Sequence, residues 1–249
     1  PMIVPVTTPL WMLAIAVAFS VILAKEIFGG TGMNIFNPAL VTRAFLFFSY
    51  PSAMTGDSKV WVAQDQICSL GNNLADVATS ATPLGAAVEA GFQGFDCQTV
   101  INAVVGLIPG SVGETSVIAI ALGAILLLWT GVASWKTMLS VFVGGALMGF
   151  VLQGVEGNHI LWYQHLVFGG FAFGAVFMAT DPVTSARTEC GKYVYGFLIG
   201  VVAVMVRVLN PGFPEGMMLA ILLMNAFAPL IDYCFVQSNI NKRAKRAIK

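Results

Sequence analysis

Charged residues are scarce in this chain. Only 10% of its 249 residues are charged and 57% are hydrophobic, with a mean hydropathy of +0.84, whereas soluble domains carry about a quarter charged residues. This composition excludes a soluble globular protein and predicts an all-α integral membrane protein, because helices satisfy their own backbone hydrogen bonds in lipid. The net charge is zero and the basic residues form no patch with interleaved aromatic side chains, so we expect no nucleic-acid partner.

Metal-binding patterns and targeting signals are also lacking. The four cysteines have no CxxC or Cys/His spacing, which excludes a zinc site or an iron–sulfur cluster held by this chain alone. His159 and His165 are six residues apart and therefore lie on different helix faces, so we expect no metal site there. Pro1 leads into an apolar segment without the basic region or cleavage site of a signal peptide, and without an initiating Met. We therefore expect the chain to be part of a longer polypeptide.

Long apolar runs are the dominant feature that is present. Runs of about 17 to 22 residues are long enough to cross the hydrocarbon core of a bilayer. A seventh run, 34–50, is interrupted by Pro38 and Arg43. The sequence thus predicts a multi-span helical bundle with about seven spans, and the six clear spans lie near 8–27, 116–133, 137–153, 159–178, 193–209 and 215–236. Small residues such as "GGALMG" at 144–149 are expected to allow close helix packing.

The basic residues predict an orientation for these spans. If the tail at 241–249 is cytoplasmic, nine of the twelve Lys and Arg residues lie on that side and only Lys59 lies on the other. Excess positive charge marks cytoplasmic segments, so we expect a cytoplasmic C-terminus. In this arrangement residues 1–249 form a single membrane domain and the loop 51–115 lies on the outer side.

Two segments of the chain resemble each other. Residues 28–45, "FGGTGMNIFNPALVTRAF", and 168–188, "FGGFAFGAVFMATDPVTSART", share an FGG opening, an Asn-Pro or Asp-Pro pair, Val-Thr and a following Arg. The gap from FGG to Pro differs by four residues. Proline removes a backbone donor, so Pro38 and Pro182 predict broken helices. Paired broken helices in two halves of a chain favour a central site in a repeat-built membrane fold, although similar composition alone can also produce such a likeness.

The loop segment "DVATSAT" carries the most specific motif. Asp76, Thr79, Ser80, Ala81 and Thr82 follow the acceptor pattern D-x-x-(S/T)-x-A-(S/T) that flavin transferases modify, and Ser80 stands where this pattern usually has Gly. In the pattern, the last hydroxyl forms a phosphodiester with FMN. Small and acidic residues in this order also occur in ordinary turns. The motif therefore predicts a covalent FMN site at Thr82, with a turn as the alternative.

Four longer segments cover much of the chain: "AKEIFGGTGMNIFNPALVTRAFLFFSYP", "IPGSVGETS", "HLVFGGFAFGAVFMATDPVTS" and "RVLNPGFPEGMMLAILLMNAFAPLID". They resemble a known family, which comprises the NqrB component of the Na⁺-translocating NADH:quinone oxidoreductase and the RnfD component of the Rnf complex. The resemblance extends over nearly the whole chain. It implies a ten-helix protein with inverted five-helix halves like those of urea transporters, of which this chain is the C-terminal part.

The function implied by this resemblance is that of a redox-driven sodium pump in the bacterial inner membrane. It implies covalent FMN on the outer side, riboflavin nearby, and electron transfer toward ubiquinone coupled to Na⁺ translocation. The implied partners are the other subunits of the NADH:quinone reductase and a flavin transferase. "RAFLFFSYP" and "PEGMMLAIL" favour this reductase over the Rnf complex. A urea-transporter-like solute channel without a redox role is the remaining alternative.

Charged residues within the spans are further candidates, because a charge in lipid is costly unless it is paired or hydrated. We expect Arg43 and Asp181 to face the protein interior, where they can pair with each other or form a flavin or ion site. Asp181 capping its own broken helix is an equally good explanation. Asp232 and Glu26 are candidates for a Na⁺ path, since hard cations prefer oxygen ligands, but both also suit simple solvation at the membrane interface.

Three aromatic residues of the loop 51–115 are candidates for stacking on the flavin ring. They are Trp61, Phe92 and Phe95. Aromatic side chains at this level of a membrane protein more often belong to an interfacial belt.

Overall fold

A computed structural model of the chain describes residues 2–5, 8–54, 82–89, 91, 94–155, 158–210 and 215–247. Within these ranges every regular element is a helix, which confirms the predicted all-α class. A 3₁₀ turn, Glu26–Phe28, follows the first helix, and a π-helical turn, Gly174–Met178, follows the ninth. The α-helices are α1 Leu10–Ala24, α2 Pro38–Ser49, α3 Pro51–Met54, α4 Pro83–Glu89, α5 Cys97–Val105, α6 Val117–Trp129, α7 Trp135–Val151, α8 Gln164–Val167, α9 Phe171–Phe173, α10 Glu189–Leu209 and α11 Met217–Ala247.

The apolar helices correspond to the predicted spans. Leu10–Phe28, Glu189–Leu209 and Met217–Arg246 are long and apolar enough to cross a membrane, while α2, α6 and α7 are shorter apolar helices. Large apolar side chains on them face outward, as is typical of a lipid-facing surface. Five of the six clear predicted spans are therefore continuous helices in the described part of the chain.

The span predicted at 159–178 is wrong as a continuous helix. Its helical part consists of α8, α9 and the π-helical turn, and the chain leaves α8 at Phe168 in an extended conformation. Gly169 has φ +69°, and a Cβ placed there would lie 2.6 Å from Leu84 Cδ1. A Cβ on Gly170 would lie 2.5 Å from Glu114 Oε1. The two glycines thus break the helix and admit neighbouring side chains close to the backbone.

Both Asx-Pro pairs lie where a helix or turn begins. Asn37 Oδ1 accepts a hydrogen bond from Ala39 N at 3.0 Å, and Pro38 occupies the first position of α2, where its missing N–H has no cost. Pro38 therefore interrupts the run 34–50 as predicted, since residues 34–37 are not helical. Arg43 does not interrupt it, because α2 runs from Pro38 to Ser49 without a break. Its twelve residues extend only about 18 Å, so α2 is too short to cross the bilayer core.

Asp181 makes the same local bond as Asn37. Its Oδ1 accepts from Val183 N at 3.2 Å, and its Oδ2 accepts from the hydroxyl of Thr184 at 3.0 Å. This is the local capping role that the sequence left open for Asp181. The inverted relation between the two segments remains a prediction.

Glycines hold α7 and α10 in backbone contact, as the small-residue segment at 144–149 predicts. A Cβ on Gly144 would overlap the carbonyl oxygen of Phe197, and a Cβ on Gly200 would overlap that of Val141. Such close approach is possible only without side chains at these positions. The two helices therefore form the most closely packed pair of the bundle interior.

Helix α11 runs from one end of the bundle to the other. Glu215 lies just before α11, and Asp232 lies on α11 about 23 Å from the helix start at Met217, at 1.5 Å per residue. Asp232 accepts hydrogen bonds from Arg187 N at 2.8 Å and Thr188 N at 2.9 Å, which brings the start of α10 to its end of the bundle.

Most basic residues of the described chain gather at this Asp232 end, whereas Arg43 and Arg207 lie at the Glu215 end. Lys136 and Lys192 both contact Glu189 at the Asp232 end, and the basic tail continues from α11 on the same side. The grouping on which the predicted orientation depends is thus present in the fold. The assignment of this end to the cytoplasm remains a prediction.

Candidate functional site

Thr82 lies at the start of α4, at the end of the bundle that contains Glu215. Its side chain is half-buried. Its Oγ1 accepts a hydrogen bond from Gly85 N at 3.2 Å, and its carbonyl oxygen accepts one from Ala86 N at 2.9 Å. Thr82 thus caps the first turn of α4, as threonine commonly does at helix starts.

The helix that follows Thr82 is anchored by a small apolar cluster. Leu84 is buried against Ala103, Ile108 and Phe168, which come from three other parts of the chain. Burial of these side chains fixes α4 against the body of the protein, because apolar contact area is the main stabilising contribution. The four other residues of the acceptor motif, Asp76, Thr79, Ser80 and Ala81, lie outside the described residues.

A cavity of about 20 Å³ lies beside Thr82, which is room for about one water molecule. Its walls include the polar side chains of Ser111, Glu114, Thr115 and Glu215. The cavity therefore connects the predicted acceptor hydroxyl to a buried group of charged residues.

Arg43 is the centre of this charged group, where it bridges two carboxylates. Its Nη1 donates to Glu114 Oε1 at 2.5 Å, and its Nη2 donates to Glu215 Oε2. The side chains of Arg43 and Glu114 are 8% and 7% exposed, so both are withdrawn from solvent. Arg43 thus faces the protein interior, as expected, but its described ion-pair partners are Glu114 and Glu215 and not Asp181.

Glu114 has a second hydrogen-bond donor in its own loop. Ser111 Oγ donates to Glu114 Oε2 at 2.7 Å. Burial raises the pKa of the Glu114 carboxyl, whereas the Arg43 guanidinium and the Ser111 hydroxyl oppose that rise. The two donors thus stabilise a carboxylate in a place that disfavours charge.

Arg207 joins the same group from α10. It is 1% exposed, its Nη1 donates to the carbonyl oxygen of His165 at 2.7 Å, and its Nη2 donates to the carbonyl oxygen of Glu215 at 3.4 Å. Both ring nitrogens of His165 are buried without a hydrogen-bond partner among the described residues. The segment around Glu215 is therefore held by two arginines, one on its carboxylate and one on its backbone.

The sequence did not single out Glu114 and Glu215. Their partner Arg43 is 71 and 172 residues away along the chain, and nothing in the spacing relates the three. One signal in the sequence was that an arginine within an apolar run requires a carboxylate partner. Glu114 and Glu215 both border predicted spans at the end opposite the basic tail.

The remaining predicted site residues lie elsewhere. Phe95 packs on Phe168 with ring centroids 3.9 Å apart, whereas Trp61 and Phe92 lie outside the described residues. Asp232 accepts three hydrogen bonds at the opposite end of the bundle, from Arg187 N and from the backbone N and hydroxyl of Thr188.

Glu26 is exposed in the 3₁₀ turn after α1. Among the described residues, no group of three or more His, Cys, Asp or Glu side chains is placed to hold a metal ion. The roles of Asp181, Asp232 and Glu26 in an ion path remain predictions.

The chain is similar in sequence to a defined group of proteins. The family described as NQR2, RnfD, RnfE matches residues 1–241. A relative from Chromohalobacter salexigens is 53% identical over 251 residues, which is 98% of this chain and 58% of the relative. Relatives from Ectopseudomonas mendocina and Azotobacter vinelandii are 46% and 47% identical and cover 99% and 98% of this chain.

Each of these three relatives is named as the B-type component of a Na(+)-translocating NADH-quinone reductase. The chain spans between 58% and 60% of their length.

Proposed function

Because the chain belongs to the NQR2, RnfD, RnfE family, we propose that it is part of the NqrB component of a Na⁺-translocating NADH:quinone reductase. In this proposal Thr82 carries FMN through a phosphodiester, and the protein passes electrons toward ubiquinone while Na⁺ crosses the membrane. The other subunits of the complex supply the NADH site, since neither a dinucleotide-binding motif nor a metal-cluster motif is written in this sequence.

The observation that carries the proposal is the position of Thr82. It is the last residue of the acceptor motif and half-buried, and it stands at the start of a helix anchored by Leu84. The bond from Gly85 N to Thr82 Oγ1 is one that an ester oxygen can also accept. The residues present therefore fit a covalent attachment at this hydroxyl.

Thr82 acts in this proposal as a tether and not as a nucleophile of the redox reaction. FMN, when bound, supplies the redox chemistry, and the protein supplies its position and electrostatic surroundings. Helix α4 restricts the attachment point, and the Arg43 network fixes the loop and the Glu215 segment that line the cavity beside it. Because its arginine and glutamate charges balance, the network adds little net charge next to the cofactor.

The orientation follows from the same arrangement. Thr82 lies at the end of the bundle opposite the basic tail, so a cytoplasmic C-terminus puts Thr82 on the outer side of the bacterial inner membrane. Riboflavin remains a further candidate cofactor, implied by the family resemblance and without an assigned position. The relatives' names favour the reductase over the RnfD component of an Rnf complex.

The attachment is tested by mass spectrometry of the peptide 76–85 after co-expression with an active flavin transferase. We expect the mass of FMN minus water on Thr82 in the wild type. Thr82→Val removes the oxygen at nearly constant shape and should abolish the modification, whereas Thr82→Ser should retain some.

Thr79→Val and Ser80→Ala are the matched controls, because each removes a hydroxyl of the same motif and should leave the modification in place. Asp76→Ala should reduce it if the transferase recognises the acidic residue. An unmodified wild-type peptide would exclude covalent flavin and favour the solute-channel alternative.

A further inference from the structure

An apolar groove runs along the outer face of the bundle between α7 and α10. Its walls are Leu139 and Val143 from α7 and Val194, Phe197 and Leu198 from α10, and its volume is about 440 Å³. We call it the α7–α10 groove. The hydroxyl of Ser140, which also borders it, donates to the carbonyl oxygen of Thr137 at 2.9 Å. The groove therefore offers an apolar surface on which the serine hydroxyl is already bonded.

A basic cavity of about 460 Å³ adjoins one end of the groove. Three cations, Lys136, Arg187 and Lys192, line it together with one carboxylate, Glu189. Lys192 Nζ lies 2.7 Å from Glu189 Oε1, and Lys136 Nζ contacts the other oxygen of the same carboxylate. One carboxylate shared by two ammonium groups leaves the cavity with net positive charge.

A second carboxylate, Asp232, accepts hydrogen bonds from the backbone of Arg187 and Thr188 and from the Thr188 hydroxyl. It lines a neighbouring cavity that includes Arg187 but neither of the two lysines. Asp232 therefore offsets part of the charge of Arg187. Lys136 and Lys192, which share one carboxylate, are the cations that an external anion can approach.

The basic cavity and the groove form one continuous surface. Lys136 precedes Leu139 by about one helical turn on α7, and its Nζ lies 5.9 Å from the centroid of the Tyr193 ring at the groove rim. From Lys136 to Val143 the groove descends about 10 Å along α7. Cations and aromatic rings above a strip of apolar side chains are the arrangement that membrane proteins present to lipid headgroups.

We propose that the α7–α10 groove and its basic cavity bind one anionic phospholipid, with the phosphate at Lys136 and Lys192 and an acyl chain along Val143 and Phe197. A helix of another protein in the complex is a poorer fit, because helix contacts in membranes favour small residues. The glycines of this helix pair, Gly144 and Gly200, are already used in the contact between α7 and α10. The groove walls are branched or aromatic instead, which suits a flexible chain.

The headgroup contact is tested by native mass spectrometry of the complex containing this protein, titrated with dioleoyl phosphatidylglycerol or dioleoyl phosphatidylcholine. We expect the wild type to bind the anionic lipid more tightly, by roughly fivefold for each uncompensated cation. Lys136→Gln with Lys192→Gln should lower this affinity by roughly tenfold or more. It should weaken binding of the zwitterionic lipid far less, because choline offsets the charge of its phosphate. Glu189→Gln should raise the affinity for the anionic lipid, since the two ammonium groups are then released from their shared partner.

The matched control is Lys242→Gln with Lys245→Gln, which removes two cations from the exposed tail at the same end of the bundle. It should change the affinity for the anionic lipid less than twofold. An equal loss in this control, or lower anionic-lipid affinity in Glu189→Gln, would overturn the proposal, because the effect would then be one of overall charge or of folding.

The acyl-chain contact is tested separately with the photoreactive amino acid p-benzoylphenylalanine. Placed at Val143 or at Leu139, which are 49% and 51% exposed, it should cross-link to phosphatidylglycerol more than at Leu122, an exposed position on α6 outside the groove. Cross-linking of both groove positions to another protein of the complex or to quinone would overturn the lipid assignment.

Discussion

The two ends of the bundle contain the same kinds of ion pair in opposite surroundings. At one end Arg43 bridges Glu114 and Glu215 where its side chain is 8% exposed. At the other end Glu189 binds Lys136 and Lys192 while 63% of its own side chain is exposed. Buried ion pairs become very costly when one partner is removed, whereas exposed pairs are screened by solvent and contribute little.

This difference suits different tasks. The buried group holds three separate parts of the chain together around Thr82. Substitutions in this group should therefore lower the stability of the whole fold. The exposed group leaves its charges accessible and can exchange partners at little cost.

The largest effect is expected for Arg43→Ala. It leaves two buried carboxylates without their cation, and we expect the free energy of unfolding to fall by roughly 3–5 kcal/mol. Arg43→Lys keeps a cation but cannot bridge two carboxylates in the same planar geometry. Its free energy of unfolding should therefore lie between those of Arg43→Ala and the wild type. Thermal unfolding in detergent measures the order of the three.

A second substitution separates charge from packing in this variant. Glu114→Gln added to Arg43→Ala removes one unpaired charge and should recover part of the lost stability. Equal stability of Arg43→Ala and Arg43→Lys would argue that Arg43 reaches solvent and that the buried network is not the source of its effect.

A smaller effect is expected for Asp232→Ala at the other end. It removes the acceptor for Arg187 N and Thr188 N, at a cost of about 1 kcal/mol for each net hydrogen bond lost. If Asp232 also lies on the Na⁺ path, sodium-stimulated turnover should fall while flavin content stays unchanged.

Asp232→Asn keeps the acceptor oxygen for Thr188 but loses the charge and the bond from Arg187 N, so it should be destabilised less than Asp232→Ala. A path residue should lose sodium stimulation as completely in Asp232→Asn as in Asp232→Ala, despite this difference in stability. Normal sodium dependence in both variants would remove Asp232 from the path.

The smallest effect is expected for Lys136→Gln. Its partner Glu189 is exposed and retains Lys192, so the melting temperature in detergent should not change measurably. Raising the salt concentration should also leave the wild-type melting temperature nearly unchanged. A drop comparable to that of Arg43→Ala would show that the two ends do not differ as described.

Local features of the sequence predicted most of the helices but not their long-range pairings. Run length and hydrophobicity located five of the six clear predicted spans, because the bilayer imposes a minimum length on apolar segments. The partners of Arg43 were not predictable in this way, since Glu114 and Glu215 reach it only through the tertiary fold. Asp181 also followed local rules, and its bonds to Val183 and Thr184 need no distant partner.

The predicted site was visible only as a motif. Thr82 could be named from "DVATSAT", but its capping bond to Gly85 and its closeness to the cavity lined by Glu114 depend on how α4 packs. A short loop motif contains no information about the side chains that the fold brings next to it. This is why Thr82 could be proposed as an acceptor from the sequence, whereas its charged surroundings could not be predicted.

The π-helical turn gives a structural meaning to the four-residue gap between the two similar segments. After FGG the second segment forms α9 and Gly174–Met178 before its Asp-Pro pair, whereas the first passes through non-helical residues 31–37 to Asn-Pro. Four residues amount to about one helical turn. If the two segments descend from one duplicated ancestor, the length difference records a turn of helix gained by one copy or lost by the other, and aligning the copies without that gap would pair Asp181 with the wrong residue.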